Sequence, residues 1–358
     1  MIDVSRLVRP ELLDLAPVAH GSVAAMELAA LGLQPAEVLD FSVNTNPLGP
    51  SPSVLRAVRE TDWSRYPGDD DAPLRRALAE QTGVTPEQVV LGNGSAELMW
   101  LIALAALRAG DQVGIVVPTF GEYARAAHVV GATVLEVEDP EQAPSARVLF
   151  VCNPNNPTAD YLTPADIERL LEAAPDRLLI LDEAYAAFVE HRWLSEPLLE
   201  HGNLVILRSM TKDHALPGLR LGYLLAAREV ARAIDSVRPP WSVNSGALRA
   251  GLAALEPPAL AHVGRARAIV AESRVLLTDG LARLGYTVRP SAANFVLVDV
   301  GNGARFRQAL LPHGIVVRDC ASFGLPQQVR IACRLPADCQ RLLDAITQIA
   351  APHAVDDG

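Results

Sequence analysis

The stretch "SMTKDHALPGLRLGYLLA", residues 209–226, sets one lysine, Lys212, among apolar and small residues, with one arginine, Arg220, eight positions later. Lys212 follows the strand-like run "LVILRS" and so falls at a strand end, and Arg220 lies in a second such run, "LRLGYLL". A solvated face would carry more charge, although two ordinary surface cations would satisfy this stretch taken alone. Upstream, Asp182 closes the run "LLIL". An ionised carboxylate there is costly unless it meets a cation, and a protonated ring nitrogen would serve. "LLILDE" also resembles a strand whose aspartate binds Mg²⁺, but that reading needs a GxxxxGK[ST] loop, which the sequence lacks. "GNGSAE", residues 92–97, misses the last glycine of a dinucleotide turn. Small residues opening a helix nonetheless make a phosphate cradle.

These parts combine into one chemistry. Lys212 can form a Schiff base with an aldehyde, and Asp182 can hold a pyridinium. Gly94, Ser95 and Ala96 offer backbone N–H groups to a phosphate, with Ser209, Thr211 and Arg220 nearby. Phe120 offers an aromatic face, and Asn156 and Tyr185 can hydrogen-bond a phenolic oxygen. A lysine that forms an imine, with an acidic partner for a ring nitrogen, is the signature of pyridoxal 5′-phosphate (PLP) sites. Each residue has a plainer explanation by itself. Asn153 and Asn156 suit turns, and Phe120 and Tyr185 suit a core.

The elements that must position these groups are legible as a repeated theme of apolar strand, polar or Gly-rich turn and helix. "EQVVLGNGSAELMWLIALAAL", "DQVGIVVPTFGEYARAAHVVGA", "ARVLFVCNPNNPTADYLTPADIERLLEAA", "RLLILDEAYAAF" and "LVILRSMTK" all show it in whole or part. Thr163 is placed as a helix N-cap with Asp166 completing a capping box. Near-continuous Val/Ile/Leu strands alternating with helices predict an α/β fold with a buried, mostly parallel sheet. Ligands bind beyond the carboxyl ends of such strands, where residues 93–97, 119–120, 153–158, 182–185 and 209–212 all fall. A long helical stretch is expected to end near residue 284, followed by a smaller α+β unit containing the strands "ANFVLVDV", "IVVRDC" and "QVRIACR". The division expected is an N-terminal arm over 1–45, a large domain over 46–250 and a small domain over 251–358. The arm would pack on the small domain or on a partner subunit.

Half of the 358 residues are hydrophobic, enough for a substantial core. The net charge of −11, without a basic cluster, argues against nucleic-acid and anionic-membrane partners. No apolar run reaches membrane-spanning length without a charge, Pro or Gly, and the first residues lack the apolar core of a signal peptide. The cysteines Cys152, Cys320, Cys333 and Cys339 show no zinc spacing, so no metal is expected, and they suggest no disulfide framework. A reducing cytoplasm is the simplest location.

The motifs "NTNPLG", "RYP", "GNGSAE", "NPNNPT", "LDEAY", "SMTK" and "PGLRLGY" occur in that order along nearly the whole chain. In this the sequence resembles the fold-type I PLP enzymes, on the branch of histidinol-phosphate aminotransferase and threonine-phosphate decarboxylase. The resemblance implies that Lys212 is the Schiff-base lysine and that Asp182 pairs with the ring nitrogen. It implies that Asn156 and Tyr185 hold the ring oxygen and that Phe120 stacks on the ring. It assigns the cofactor phosphate to Ser95, Ala96, Ser209, Thr211 and Arg220, with Tyr66 reaching it from the second subunit of a homodimer. One departure is Ala159, where the family usually carries glycine after "NPT"; it alters a turn and no chemical group.

The same resemblance places the substrate carboxylate on Arg330 and a substrate phosphate on Arg318, with His20 and Asn44 beside them. An arginine fork suits either anion. "AHGS", "LDFSVNTNPLG", "PPWSVN" and "VRDCASFG" lean toward the decarboxylase, because the aminotransferases usually carry "NENP" where this chain has "NTNP". The expectation is therefore a decarboxylase of L-threonine-O-3-phosphate, feeding cobalamin synthesis. The alternative is an aminotransferase of the histidinol-phosphate type. A PLP-less binding homologue is a third reading, which an intact Lys212, Asp182 and Arg220 disfavours.

Overall fold

The computed structural model describes residues 6–18, 21, 25–30, 32–67 and 71–350. The N-terminal arm joins the C-terminal unit through a short strand, β1 (Leu39–Asp40). Glu27 forms a bidentate ion pair with Arg307 at 2.6 and 2.7 Å. The arm also touches the large sheet's side of the molecule. Arg125 donates to the Ala16 carbonyl at 3.0 Å, and a side chain at Gly121 would press on Val18.

Seven strands follow in one sheet: β2 (Val89–Asn93), β3 (Gln112–Val116), β4 (Thr133–Val137), β5 (Val148–Cys152), β6 (Leu178–Asp182), β7 (Leu204–Ser209) and β8 (Leu221–Ala226). Their order is β2-β8-β7-β6-β5-β3-β4. The pairings are parallel except those of β8, which runs antiparallel to both β2 and β7. This reversal matters for the site. The carboxyl ends of the parallel strands share an edge with the start of β8, so Arg220 arrives beside Asn93–Gly94 and Ser209.

The strands are apolar on both faces because both are covered. On one side the sheet meets the helices Pro52–Arg59, Asp71–Thr82, Pro164–Ala173 and Ser245–Ala254. On the other it meets Gly94–Ala106, Glu122–Val129 and Arg228–Ser236. The helix Pro164–Ala173 starts as the sequence predicts, with Thr163 capping the Asp166 N–H and Asp166 completing the box.

Two helices follow the sheet, Ser245–Ala254 and Pro257–Arg283, and the second is the long helix expected to end near residue 284. Pro257 and Pro258 open the second one, and proline is tolerated in the first turn of a helix but not in its interior. The C-terminal unit holds β9 (Thr287–Val288), β10 (Phe295–Asp299), β11 (Ile315–Val316), β12 (Arg318–Asp319) and β13 (Gln328–Ala332). "IVVRDC", expected as one strand, divides at the buried Val317. β11 pairs parallel with β1 of the arm, whereas β12 joins the four-stranded antiparallel sheet β12-β13-β10-β9. The division brings Arg318 directly opposite Arg330. A separate core beneath this sheet includes Val270, Leu277, Val296, Phe306, Ile331 and Ile346. Among the described residues no helix is long and apolar enough to cross a membrane, and no group of His, Cys, Asp and Glu has the geometry of a metal site.

Candidate active site

A cavity of about 920 Å³ opens where the strand ends of the large sheet meet the C-terminal unit. Asn44, Ser95, Ala96, Phe120, Asn156, Asp182, Tyr185, Ser209, Thr211, Lys212, Arg220, Arg318 and Arg330 all line it. Gly94 lies in its wall, next to the Arg220 guanidinium. Tyr66 is elsewhere. It is 76% exposed and stacks on Trp241 at 4.5 Å, so within one chain it does not reach the cavity. His20 lies outside the described residues.

The wall near Arg220 has the build of an anion cradle. The helix Gly94–Ala106 begins at the cavity with Gly94 at φ +79°, a conformation glycine adopts freely. A Cβ there would stand 2.6 Å from Arg220 Nη2, and one at Gly222 would stand 2.5 Å from the Ser95 amide nitrogen. Only glycines allow the arginine, the strand and the helix N-terminus to approach this closely. Arg220 itself holds φ +58° while donating to the Pro217 carbonyl at 3.2 Å. Ser209 and Thr211 face the same space with their hydroxyls 2.7 Å apart. A helix N-terminus, two hydroxyls and a guanidinium form a donor set for a phosphate.

Lys212 stands on the turn after β7. Its carbonyl accepts from the Asn46 amide at 2.8 Å, and the Asn46 side chain donates to the Asp213 carbonyl at 2.8 Å. The "NTNPLG" motif thus clamps the lysine's backbone. Lys212 Nζ lies 5.8 Å from the centre of the Tyr185 ring.

Asp182, at the end of β6, is 3% exposed. Burial raises its carboxyl above the ordinary value, more than the Tyr123 hydroxyl, the Ala184 N–H and the Lys212 charge pull it down. The Ala184 N–H donates to Oδ1 at 3.0 Å and the Tyr123 hydroxyl to Oδ2 at 2.7 Å. The neighbouring Glu183 is equally buried but faces away, paired with Arg208 at 2.7 Å and Arg192 at 3.4 Å.

The C-terminal unit supplies two guanidiniums. Arg330 is buried and held on several sides. It donates to Asn156 Oδ1 and, at 2.8 Å, to the Ser42 carbonyl, and lies 5.3 Å over the Phe295 ring. Asn44, with its amide oxygen turned toward the guanidinium, accepts from Arg330 Nε at 3.2 Å. Arg318 donates to Ser322 Oγ at 2.7 Å and lies 5.5 Å over the Phe323 ring. Burial, and then the charge of Arg330, lowers its pKa. Two guanidiniums on facing strands repel each other, which favours an anion between or beside them.

Tyr123 and Cys152, both touching Asp182's surroundings, were not among the residues singled out from the sequence. A tyrosine in the first turn of a short helix reads as core, and Tyr123 is indeed stacked on Phe150 at 4.8 Å. One signal for the site was available in the composition. Of the 31 lysine and arginine residues, Lys212 is the only lysine.

The profile of the family described as Aminotransferase class I and II matches residues 36–346. The histidinol-phosphate aminotransferase of Anaeromyxobacter sp. (strain Fw109-5) is 36% identical over 363 residues, covering 96% of this chain and 99% of that protein. Among solved structures, histidinol-phosphate aminotransferase from Sinorhizobium meliloti in complex with pyridoxal-5'-phosphate superposes with a TM-score of 0.83 at 25% identity, covering 96% of this chain and 97% of that one. L-threonine-O-3-phosphate decarboxylase from Porphyromonas gingivalis superposes with a TM-score of 0.79 at 28% identity, covering 86% and 98%. A profile spanning most of the sequence and a relative matched from end to end agree with the fold and the strand-end site: the chain belongs to the class I and II aminotransferase family.

Proposed function

We propose that this chain is a PLP-dependent aminotransferase that takes the amino group from a phosphorylated substrate of the histidinol-phosphate type. The full-length relatives carry that name, which raises the reading the sequence placed second above the decarboxylase. The observation that carries the proposal is a single cavity lined by Lys212, Asp182, Asn156, Tyr185 and the Arg220 cradle, with Arg318 and Arg330 in its C-terminal wall.

The donor set suits PLP. The Gly94–Ala96 turn, Ser209, Thr211 and Arg220 would hold its phosphate, Asp182 its ring nitrogen, Asn156 and Tyr185 its ring oxygen, and Phe120 its face. When bound, the cofactor supplies an electron sink for negative charge at the substrate α-carbon. Lys212 Nζ would hold the cofactor and, when free, its amine would serve as the base and acid for the proton at the substrate α-carbon. Asp182 would hold a proton on the ring nitrogen. Arg330 would orient the carboxylate of the 2-oxoglutarate or glutamate partner through its planar fork, since histidinol phosphate carries none, and Arg318 with Ser322 would take the phosphate.

The proposal includes a homodimer. Trp63, Tyr66 and Trp241 are 62%, 76% and 52% exposed, an aromatic surface suited to a second copy whose cavity receives Tyr66. Mixing inactive Tyr66→Ala with inactive Lys212→Ala should restore partial activity in heterodimers; absence of recovery in verified heterodimers counts against the shared site.

The decarboxylase reading keeps two supports, the motifs "AHGS", "LDFSVNTNPLG", "PPWSVN" and "VRDCASFG" and the structural likeness to the Porphyromonas gingivalis enzyme. One experiment separates the two readings. The protein is incubated with histidinol phosphate plus 2-oxoglutarate, and separately with O-phospho-threonine, and glutamate and CO₂ are followed. Glutamate from the first mixture is expected. CO₂ from the second with no glutamate from the first would overturn the aminotransferase reading.

A further inference from the structure

We propose that Tyr123 is a positioning residue for the reaction: by donating to Asp182 it holds that carboxylate in the orientation and ionised state that keep a cofactor ring nitrogen protonated. The inference rests on the PLP reading above. Asp182 Oδ1 is occupied by the Ala184 N–H and Oδ2 by the Tyr123 hydroxyl. Those two bonds fix the plane of the carboxylate while it still lines the cavity.

Tyr123 cannot swing away. It is fully buried, stacked on Phe150 at 4.8 Å with 12° between the planes, and edge-on to Phe120 at 5.8 Å. Burial and the charge of Asp182 push its phenol well above the ordinary value, so the hydroxyl stays a donor across the working range of pH. The other titratable groups facing Asp182 are Cys152 from the end of β5, Glu183 beside it and Lys212 after β7. Glu183 is neutralised by Arg208. The Cys152 thiol, pushed up by burial, stays neutral and bonds to the Pro154 carbonyl. The phenol is therefore the one side-chain hydrogen bond to Asp182 among the described residues.

A hydrogen bond donated to the charged form favours it. In Tyr123→Phe the ring and its stacking remain, but Oδ2 loses its donor. The carboxylate becomes more basic and draws the shared proton from the ring nitrogen to its own oxygen. The N–H bond is lost, an O–H bond forms, and both partners end neutral. The electron sink weakens with no change in the substrate's contacts.

The test uses full-length protein reconstituted with PLP labelled with ¹⁵N in the ring. In wild type the ring-nitrogen resonance should lie at the pyridinium position. In Tyr123→Phe it should move toward neutral pyridine, and the cofactor should bind on the order of 10-fold more weakly, because a charge-assisted bond to the ring nitrogen gives way to a neutral one. A fluorinated tyrosine installed at position 123, a stronger donor of nearly the same shape, should hold the resonance at the pyridinium position and bind the cofactor at least as tightly. If Tyr123→Phe leaves both the resonance and the affinity within twofold of wild type, Tyr123 is only core packing and the inference is overturned while the PLP reading stands. If wild type takes up no cofactor, both fall together.

Discussion

The two halves of the cavity wall are built differently. The large-sheet half is assembled from strand ends. Asn93–Ala96, Asp182–Tyr185, Ser209–Lys212 and Arg220 are each delivered by a strand buried on both faces, so backbone geometry alone sets their positions. The C-terminal half depends on long side chains. Arg330 is fixed by Ser42, Asn44 and Asn156, which come from two other parts of the chain, while Arg318 sits on a two-residue strand braced by Ser322 and Phe323. The first half holds what does not vary within a reaction class, a cofactor. On the proposed function, the second would meet the substrate.

If that division holds, the largest effects come from the cofactor half. Lys212→Ala should lower turnover by at least about 10²- to 10⁴-fold, the usual range for removing a positioned proton carrier, while phosphate contacts still retain the cofactor. Rapid-quench single turnovers measure it. Asp182→Asn should also remove most activity, with little change in thermal stability, because the Asn oxygen keeps the Ala184 N–H bond and its amide N–H can donate to the Tyr123 hydroxyl. Glu183→Gln, one residue along, should do the reverse. It leaves the buried Arg208 with less charge to meet, and breaking such a pair costs up to about 3–5 kcal/mol. Parallel calorimetry and kinetics on the two variants check this, and equal behaviour would mean that the two carboxylates are not divided between chemistry and stability.

In the C-terminal half the effects should be smaller and selective. Arg330→Lys keeps the charge but loses the fork, so it should lower kcat and raise KM together. Arg318→Ala should cost about 1.5–3 kcal/mol in kcat/KM for histidinol phosphate, the worth of one charged hydrogen bond, and leave histidinol nearly unchanged. Equal losses on both substrates would remove the phosphate from Arg318. The smallest effect belongs to the junction of the halves. Ala159 holds φ +62° with its methyl buried against Tyr185, Ala293 and Phe295. Ala159→Gly should relieve backbone strain of about 1–2 kcal/mol, against a lost methyl of about 0.8 kcal/mol and a backbone-entropy cost of about 0.5–1 kcal/mol. The net shift in a denaturant titration should stay within about 1 kcal/mol.

The contrast also explains what the sequence could and could not disclose. Apolar runs ending in "LDEAY", "SMTK" or "GNGSAE" are local, so the sheet and the cofactor half were legible from them. The reversal of β8 was not, because strand direction leaves no local mark. Ser42, Asn44 and Asn156 meet Arg330 across as many as 288 positions, and no spacing reports such a contact. Tyr123 carried its role in a hydroxyl aimed at a residue 59 positions away, and Glu183 its stability role through an arginine 25 away. Tyr66, expected to reach the site from a second subunit, lies outside the cavity of its own chain, and a single sequence carries no spacing for a contact between copies. The single lysine was visible throughout.

That lysine makes the central claim directly testable. The protein reconstituted with PLP is reduced with borohydride, denatured, and mapped by peptide mass spectrometry. The account predicts one phosphopyridoxyl group per chain, on Lys212, with loss of the visible absorption band. No adduct, or an adduct confined to the N-terminal amine, would contradict it.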